Sequence, residues 1–205
     1  AWLQSPDKDL LEGAIIIARY QYPGMDEGLL NERIQAIRRD IWLELNDNQT
    51  AFEQVKIFNR IFFGIHRFRG DSQNYHTPAH SYLNTVLESR KGNPLSLCII
   101  YSIIAQSLDL PIYGVNLPNL FVLIYTQEDS GFYINAFNKG VIFSREDIQN
   151  FLEQLKIDPQ PAFFEPCSNL AIVLRFLKNL ATAFEKLGES DKVDEVQELL
   201  DILAH

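Results

Sequence analysis

Asn93-Pro94-Leu95-Ser96-Leu97-Cys98-Ile99-Ile100-Tyr101-Ser102-Ile103-Ile104-Ala105-Gln106-Ser107-Leu108 is the stretch on which the reading of the fold turns. Asn93 is a strong N-cap residue type, and Pro94 sits at the first helical position, where its missing N–H costs nothing. The segment therefore predicts a strongly apolar helix from Leu95 to Leu108. Beyond it the pattern changes to a period of two or to short β-branched runs. Ile112 to Leu117, Leu120 to Thr126, Gly131 to Phe137 and Val141 to Phe143 read as strands. Turns at Pro118-Asn119, Glu128-Asp129-Ser130 and Asn138-Lys139-Gly140 separate them.

Three helical patterns precede this block. Asp7 to Tyr20 is closed by Tyr22-Pro23-Gly24, and Asp26 to Leu45 is closed by Asn46-Asp47-Asn48. The third is capped by Thr50 with Glu53 at the capping-box distance and runs to about His66. Arg67 to Ala79 reads as an ordered loop, followed by a short helix over Ser81 to Glu88 that Arg90-Lys91-Gly92 ends. After the strands, Ser144 with Asp147 caps a helix to Leu155. Pro159, Pro161 and Pro166 mark a linker. Leu170, Val173, Leu174, Leu177, Leu180, Ala181 and Phe184 then form one helical face. Leu187-Gly188 breaks it, and Val193, Val196, Leu199, Leu200 and Leu203 form a second, giving a helical hairpin of about one repeat length.

The chain has 205 residues, 46% hydrophobic and 22% charged, an ordinary globular composition. Its formal net charge of −9 argues against nucleic acid, whose binders need a basic surface. Arg38-Arg39 is a short basic cluster, and with Asp40 and Glu44 close by it reads as a solvated helix face. No run reaches the roughly 18 apolar residues of a membrane span. Cys98 and Cys167, without any CxxC, suit a reducing compartment, so the cytoplasm is expected. The first residues carry no signal-peptide pattern, and the absence of Met at position 1 suggests a longer parent chain.

A helix followed by three or four antiparallel strands is the element order of papain-like and transglutaminase-like cores. More specific stretches are Asn74-Tyr75-His76-Thr77-Pro78-Ala79-His80-Ser81-Tyr82-Leu83-Asn84, the run from Arg90 to Leu97, Leu110-Pro111-Ile112-Tyr113-Gly114-Val115-Asn116-Leu117-Pro118, and Tyr133-Ile134-Asn135-Ala136-Phe137-Asn138-Lys139-Gly140. Together with Phe62 to Gly70 and the tail from Ser168 to Leu203, they resemble the SirB-type branch of the transglutaminase-like superfamily. That branch has a helical N-terminal region and a tetratricopeptide-like tail.

The resemblance also implies where chemistry would sit. A nucleophilic Cys would stand about where Pro94 is, and proline is no nucleophile. A base His would fall in Pro118-Asn119-Leu120-Phe121, where Leu120 cannot accept a proton. Asn135 keeps an orienting side chain but has no imidazole to orient. His80 departs from the branch as well, where Asn before Ser-Tyr is usual.

The alternative is a cysteine-dependent acyl-transfer enzyme or hydrolase that uses Cys98 with His80 or His76. Cys98 lies one turn past Pro94, about 6 Å deeper along the axis, among Leu97, Ile99 and Ile100, where burial raises a thiol pKa. Only an exposed Cys98 sulfur within reach of an imidazole would favour that alternative. Cys167 reads as a small packing residue. His76 and His80 stand four apart, but Pro78 disfavours the helix a metal pair would need, so both are expected to anchor the loop. His66 is expected to cap its helix, and His205 to be mobile. Arg69-Gly70-Asp71 reads as a turn. A third reading, a small-molecule binding module, would need an apolar pocket beside Leu120 and Asn135 with a few converging polar groups.

The resulting expectation is an α+β, mainly helical fold. It divides into a helical segment over 1–66, a degenerate transglutaminase-like core over 67–157 (central helix plus small antiparallel sheet), and a tetratricopeptide-like hairpin over 160–205. The function expected is non-catalytic, a protein-interaction or scaffolding module using the old cleft or the charged face of the hairpin. It has no cofactor and no metal, its partner is another protein, and the sequence sets no oligomeric state.

Overall fold

The computed structural model describes residues 2–127 and 131–204, which leaves the expected turn at 128–130 and His205 outside the described residues. The described residues form eight α-helices and two small sheets. The helices are α1 (Leu10–Gln21), α2 (Glu27–Trp42), α3 (Ala51–Asn59), α4 (Leu83–Ser89), α5 (Pro94–Gln106), α6 (Arg145–Gln154), α7 (Asn169–Leu187) and α8 (Ser190–Ala204). This is an α+β arrangement with helices in the majority. No described helix is long and apolar enough to cross a membrane.

Local chemistry accounts for most boundaries. Thr50, Asn93 and Ser144 close full capping boxes with Glu53, Ser96 and Asp147. Each satisfies two backbone donors that the first turn leaves over. Asp26 caps α2 and Ser168 caps α7 through single bonds. Gly188, at φ +74°, ends α7 in the left-handed conformation that glycine adopts without penalty.

The main sheet is an antiparallel meander of β3 (Ile112–Leu117), β4 (Leu120–Thr126), β5 (Gly131–Asn135) and β6 (Val141–Phe143). Its pleat sorts side chains between two cores. Phe121, Leu123 and Tyr125 of β4 and Phe132 and Ile134 of β5 face the large cluster around α5. Val122, Ile124 and Tyr133 face a smaller cluster with Ile148 and Leu152 of α6 and Phe164 of the linker. Both faces are covered, which is why β4 reads as a continuous apolar run.

Helix α5 lies at the centre, buried over nearly all its length. Tyr101 stacks on Phe58 with centroids 3.9 Å apart, and Phe62 stacks on Phe68 at 4.2 Å. The Tyr101 hydroxyl donates to Asn59 Oδ1 at 2.9 Å, so this aromatic block holds no orphaned polar group at that ring. One hydrophobic cluster includes Trp2 and Ile37, then Ile100, then Phe184 and Val196, so all three segments expected from the sequence contribute to it.

Several expectations are corrected here. The loop from Arg67 to Ala79 contains β1 (Arg69–Gly70), which pairs in parallel with β2 (Lys91–Gly92). A two-residue strand has no periodicity to read, and its partner lies twenty residues away. Gly70 is required less by a turn than by Phe137, because an added Cβ would meet that ring at 2.5 Å. Strand β5 stops at Asn135, and Ala136–Asn138 form one 3₁₀ turn instead of continuing it. The third helix widens after Asn59 into a π-helical turn over Arg60–Ile65. His66 does not cap that helix with its ring, whose Nε2 meets Asp40 Oδ2 at 2.9 Å. Arg38 is not merely solvated, since it donates to Ser107 O at 3.2 Å and ties α2 to the end of α5. Glu44 pairs with Arg60 rather than with the arginine pair.

Candidate functional site

The N-terminus of α5 opens on a cavity of about 100 Å³ that Pro94, Leu120, His76, Ser81 and Asn93 help to line. The structure thus places Pro94, Leu120 and His76 in one lining. A network of short polar side chains builds the wall. Asn93 Nδ2 donates to Ser81 Oγ at 2.9 Å, and Ser96 N donates to Asn93 Oδ1 at 2.9 Å. Ser96 Oγ accepts from Asn93 N at 3.0 Å and donates to His80 O at 2.6 Å. Ser81, Asn93 and Ser96 are all buried, which such groups tolerate only when hydrogen-bonded.

The other candidates lie elsewhere. Cys98 is 1% exposed, and its Sγ donates to Phe121 O at 3.6 Å. Burial pushes this thiol far above its ordinary range. His80 turns its ring away from it, with Nδ1 meeting Asn74 O at 3.2 Å and Nε2 lying 3.8 Å from Asp71 Oδ2. The Asp71 carboxyl is held below its ordinary value, first by the Asn74 side chain, then by the Asn74 N–H, His80 and Lys91. His76 meets Lys186 Nζ at 2.6 Å and pins the loop to the end of α7. Cys167 is half-buried; its N–H donates to Gly114 O at 2.8 Å, and burial pushes its thiol up to about 11. Among the described residues no cluster of three or more His, Cys, Asp or Glu side chains is placed to hold a metal ion.

Asn135 lines a neighbouring cavity of about 320 Å³ with Leu117, Leu120, Phe143 and Asp147. This is the apolar pocket the small-molecule reading asks for. Two of its polar atoms are already engaged: Asn135 Oδ1 accepts from Asn138 N, and Asp147 Oδ2 accepts from Ser144 N and Oγ. Leu120 lines both cavities.

Sequence reasoning missed the roof. Arg175, Asn179 and Thr182 of α7 line the cavity over Pro94. Arg175 also reaches the sheet, donating through Nη1 to Asn116 Oδ1 at 2.8 Å and to Leu117 O at 3.2 Å. A signal was present, because these three residues recur at i, i+4 and i+7 and so form a polar stripe along one side of the helix.

Residues 29–178 match the family model described as the transglutaminase-like superfamily. The chain belongs to that superfamily. It is 27% identical over 189 residues to a UPF0162 protein of Xylella fastidiosa, covering 89% of this chain and 67% of that relative. A UPF0162 protein of Vibrio cholerae is 25% identical over 179 residues, covering 85% and 66%. Human F-box only protein 21 is 24% identical over 232 residues, covering 98% of this chain but 36% of its own length. The chain therefore spans about two thirds of the first of these relatives, and just over a third of the human one. No solved structure matches it.

Proposed function

We propose that this transglutaminase-like chain is a non-catalytic member of the SirB-type branch and acts by holding another protein. The observation that carries the reading is that Pro94 and Leu120 share the lining of the α5 cavity. Thiol-dependent acyl transfer needs a sulfur at the helix N-terminus, where the dipole favours thiolate, and an imidazole to take its proton. Proline and leucine provide neither. Cys98 lies one turn deeper, enclosed and bonded to a main-chain carbonyl. Its raised pKa leaves negligible thiolate at neutral pH, which speaks against the cysteine-dependent alternative.

The rest of the proposal follows from the surface. A net charge of −9 disfavours nucleic acid as the partner and favours a basic one. The terminal hairpin, α7 and α8, is read as tetratricopeptide-like, and the place of action as the cytoplasm, where two unpaired thiols persist.

The test is stoichiometric. The folded chain is exposed at neutral pH to a thiol reagent and, separately, to an activated acyl ester. The expected result is no acyl-enzyme and no rapid labelling of Cys98, which becomes reactive on denaturation. Rapid one-to-one labelling of Cys98, abolished by His76→Ala or His80→Ala, would overturn the reading.

A further inference from the structure

The largest cavity described, about 580 Å³, shares no lining residue with the α5 cavity and lies in a groove between α1 and the α7–α8 hairpin. Its floor is Gly13, Val173 and Leu177, with Trp2 at one end. Trp2 is held there by its indole N–H, which donates to Asp9 O at 2.7 Å. The walls are two ridges, Ile16, Ile17 and Tyr20 on α1 and Leu199, Ile202 and Leu203 on α8. Ile16, Tyr20 and Ile202 are 44%, 50% and 60% exposed. Isolated exposed apolar residues need no explanation, but here they border one concave apolar surface.

We infer, resting on the protein-binding reading above, that this groove receives an amphipathic helix of a partner protein whose flanks are basic. Shape points to a helix. The wall residues recur at spacings of three and four on both ridges, the pattern into which the side-chain rows of a third helix fit. From Gly13 to Tyr20 the groove runs roughly 10 Å at 1.5 Å per residue, about two turns of a docked helix. A small ligand on the floor would leave the high rim of Ile16, Tyr20 and Ile202 in water, whereas a helix lying between the ridges covers it.

Charge supplies the rest. Glu12 stands one turn before Ile16, and Glu198 one turn before Ile202, with Asp201 adjacent; all three are exposed. Arg19, the one cation in the lining, is already paired with Glu27 at 2.6 Å. Lys192 on α8 is paired with Glu195 at 2.7 Å. An apolar floor between acidic shoulders selects a helix with Leu, Ile, Met or Phe along one face and Lys or Arg beside it.

The test is selection from a displayed library of 18-residue peptides on the intact chain. Counter-selection uses the Ile16→Glu/Ile202→Glu variant, whose substitutions are exposed and whose fold is checked by its melting transition. The expected survivors carry apolar residues at i, i+3 or i+4, and i+7, have basic flanks and bind one to one. They bind the counter-selection variant at least tenfold more weakly and lose affinity several-fold as salt rises. Reversing the shoulders with Glu12→Lys/Glu198→Lys, which leaves the apolar groove intact, shifts the survivors to acidic flanks. The inference is overturned if no peptide survives, if flanking charge is random or acidic on the native chain, or if binding ignores both variants. It is also overturned if the chain self-associates in a way that Ile202→Glu abolishes, which would make a second copy the occupant. None of these outcomes touches the thiol and acyl-ester readouts, so the non-catalytic reading stands or falls separately.

Discussion

Helix α7 separates two cavities of opposite character. On one side Arg175, Asn179 and Thr182 roof a small polar cavity over Pro94; on another, Val173 and Leu177 floor a groove more than five times larger and mostly apolar. One wall of the first is braced by hydrogen bonds among Ser81, Asn93, Ser96 and the His80 carbonyl, while the second leaves large apolar side chains facing water. The larger apolar surface thus lies apart from the cavity at the start of α5. That contrast supports the non-catalytic, protein-binding function proposed above.

The contrast can be broken most severely at the seat of α7. Phe176 is 2% exposed and packs edge-on against Tyr82 with centroids 6.1 Å apart. Phe176→Ala is expected to cost about 3–5 kcal/mol in chemical denaturation and to loosen both cavities together. Asn93→Ala strikes the polar side alone. It removes the α5 cap and strands the buried Ser81 hydroxyl and Ser96 N–H, for an expected loss of about 2–3 kcal/mol with peptide binding in the groove unchanged.

Acid should also separate the two sides. Asp71 fastens the loop ahead of the polar cavity, accepting from Gln73 N and from Asn74 N and Nδ2. Its folded pKa lies below the ordinary 3.8, so its contribution is complete above that value and is lost as pH falls through the lower folded one. Amide exchange around Asn74 is therefore expected to rise at pH below 3.8, before the groove opens, and Asp71→Asn should remove that dependence. The smallest effect belongs to the groove. Ile202→Glu should change stability by no more than about 0.5 kcal/mol, because a side chain 60% exposed in the unbound chain contributes little to folding. A larger loss would mean the groove is part of the core.

Local patterns were the legible part of the sequence. Strands β3, β4 and β6 begin and end where the period-two runs do, and the Thr50, Asn93 and Ser144 caps sit where their side chains require. The illegible parts were contacts between distant segments. Nothing near Arg69 announces pairing with Lys91, and nothing near Arg175 announces its bond to Asn116, 59 residues earlier. For the candidate site, the family resemblance singled out Pro94 and Leu120, and the structure puts both in one cavity lining. The polar stripe of α7 was visible but had no address until α7 docked.

The sequence by itself determined the α-helices and the strands of the main sheet to within a few residues, and that no thiol stands at the start of α5, because capping, periodicity and residue identity act within a few neighbours. Tertiary structure alone decided that α7 closes one cavity and floors another. Those surfaces are made by helices far apart in the chain, and only the burial of apolar faces against one another fixes which sides remain open to a partner.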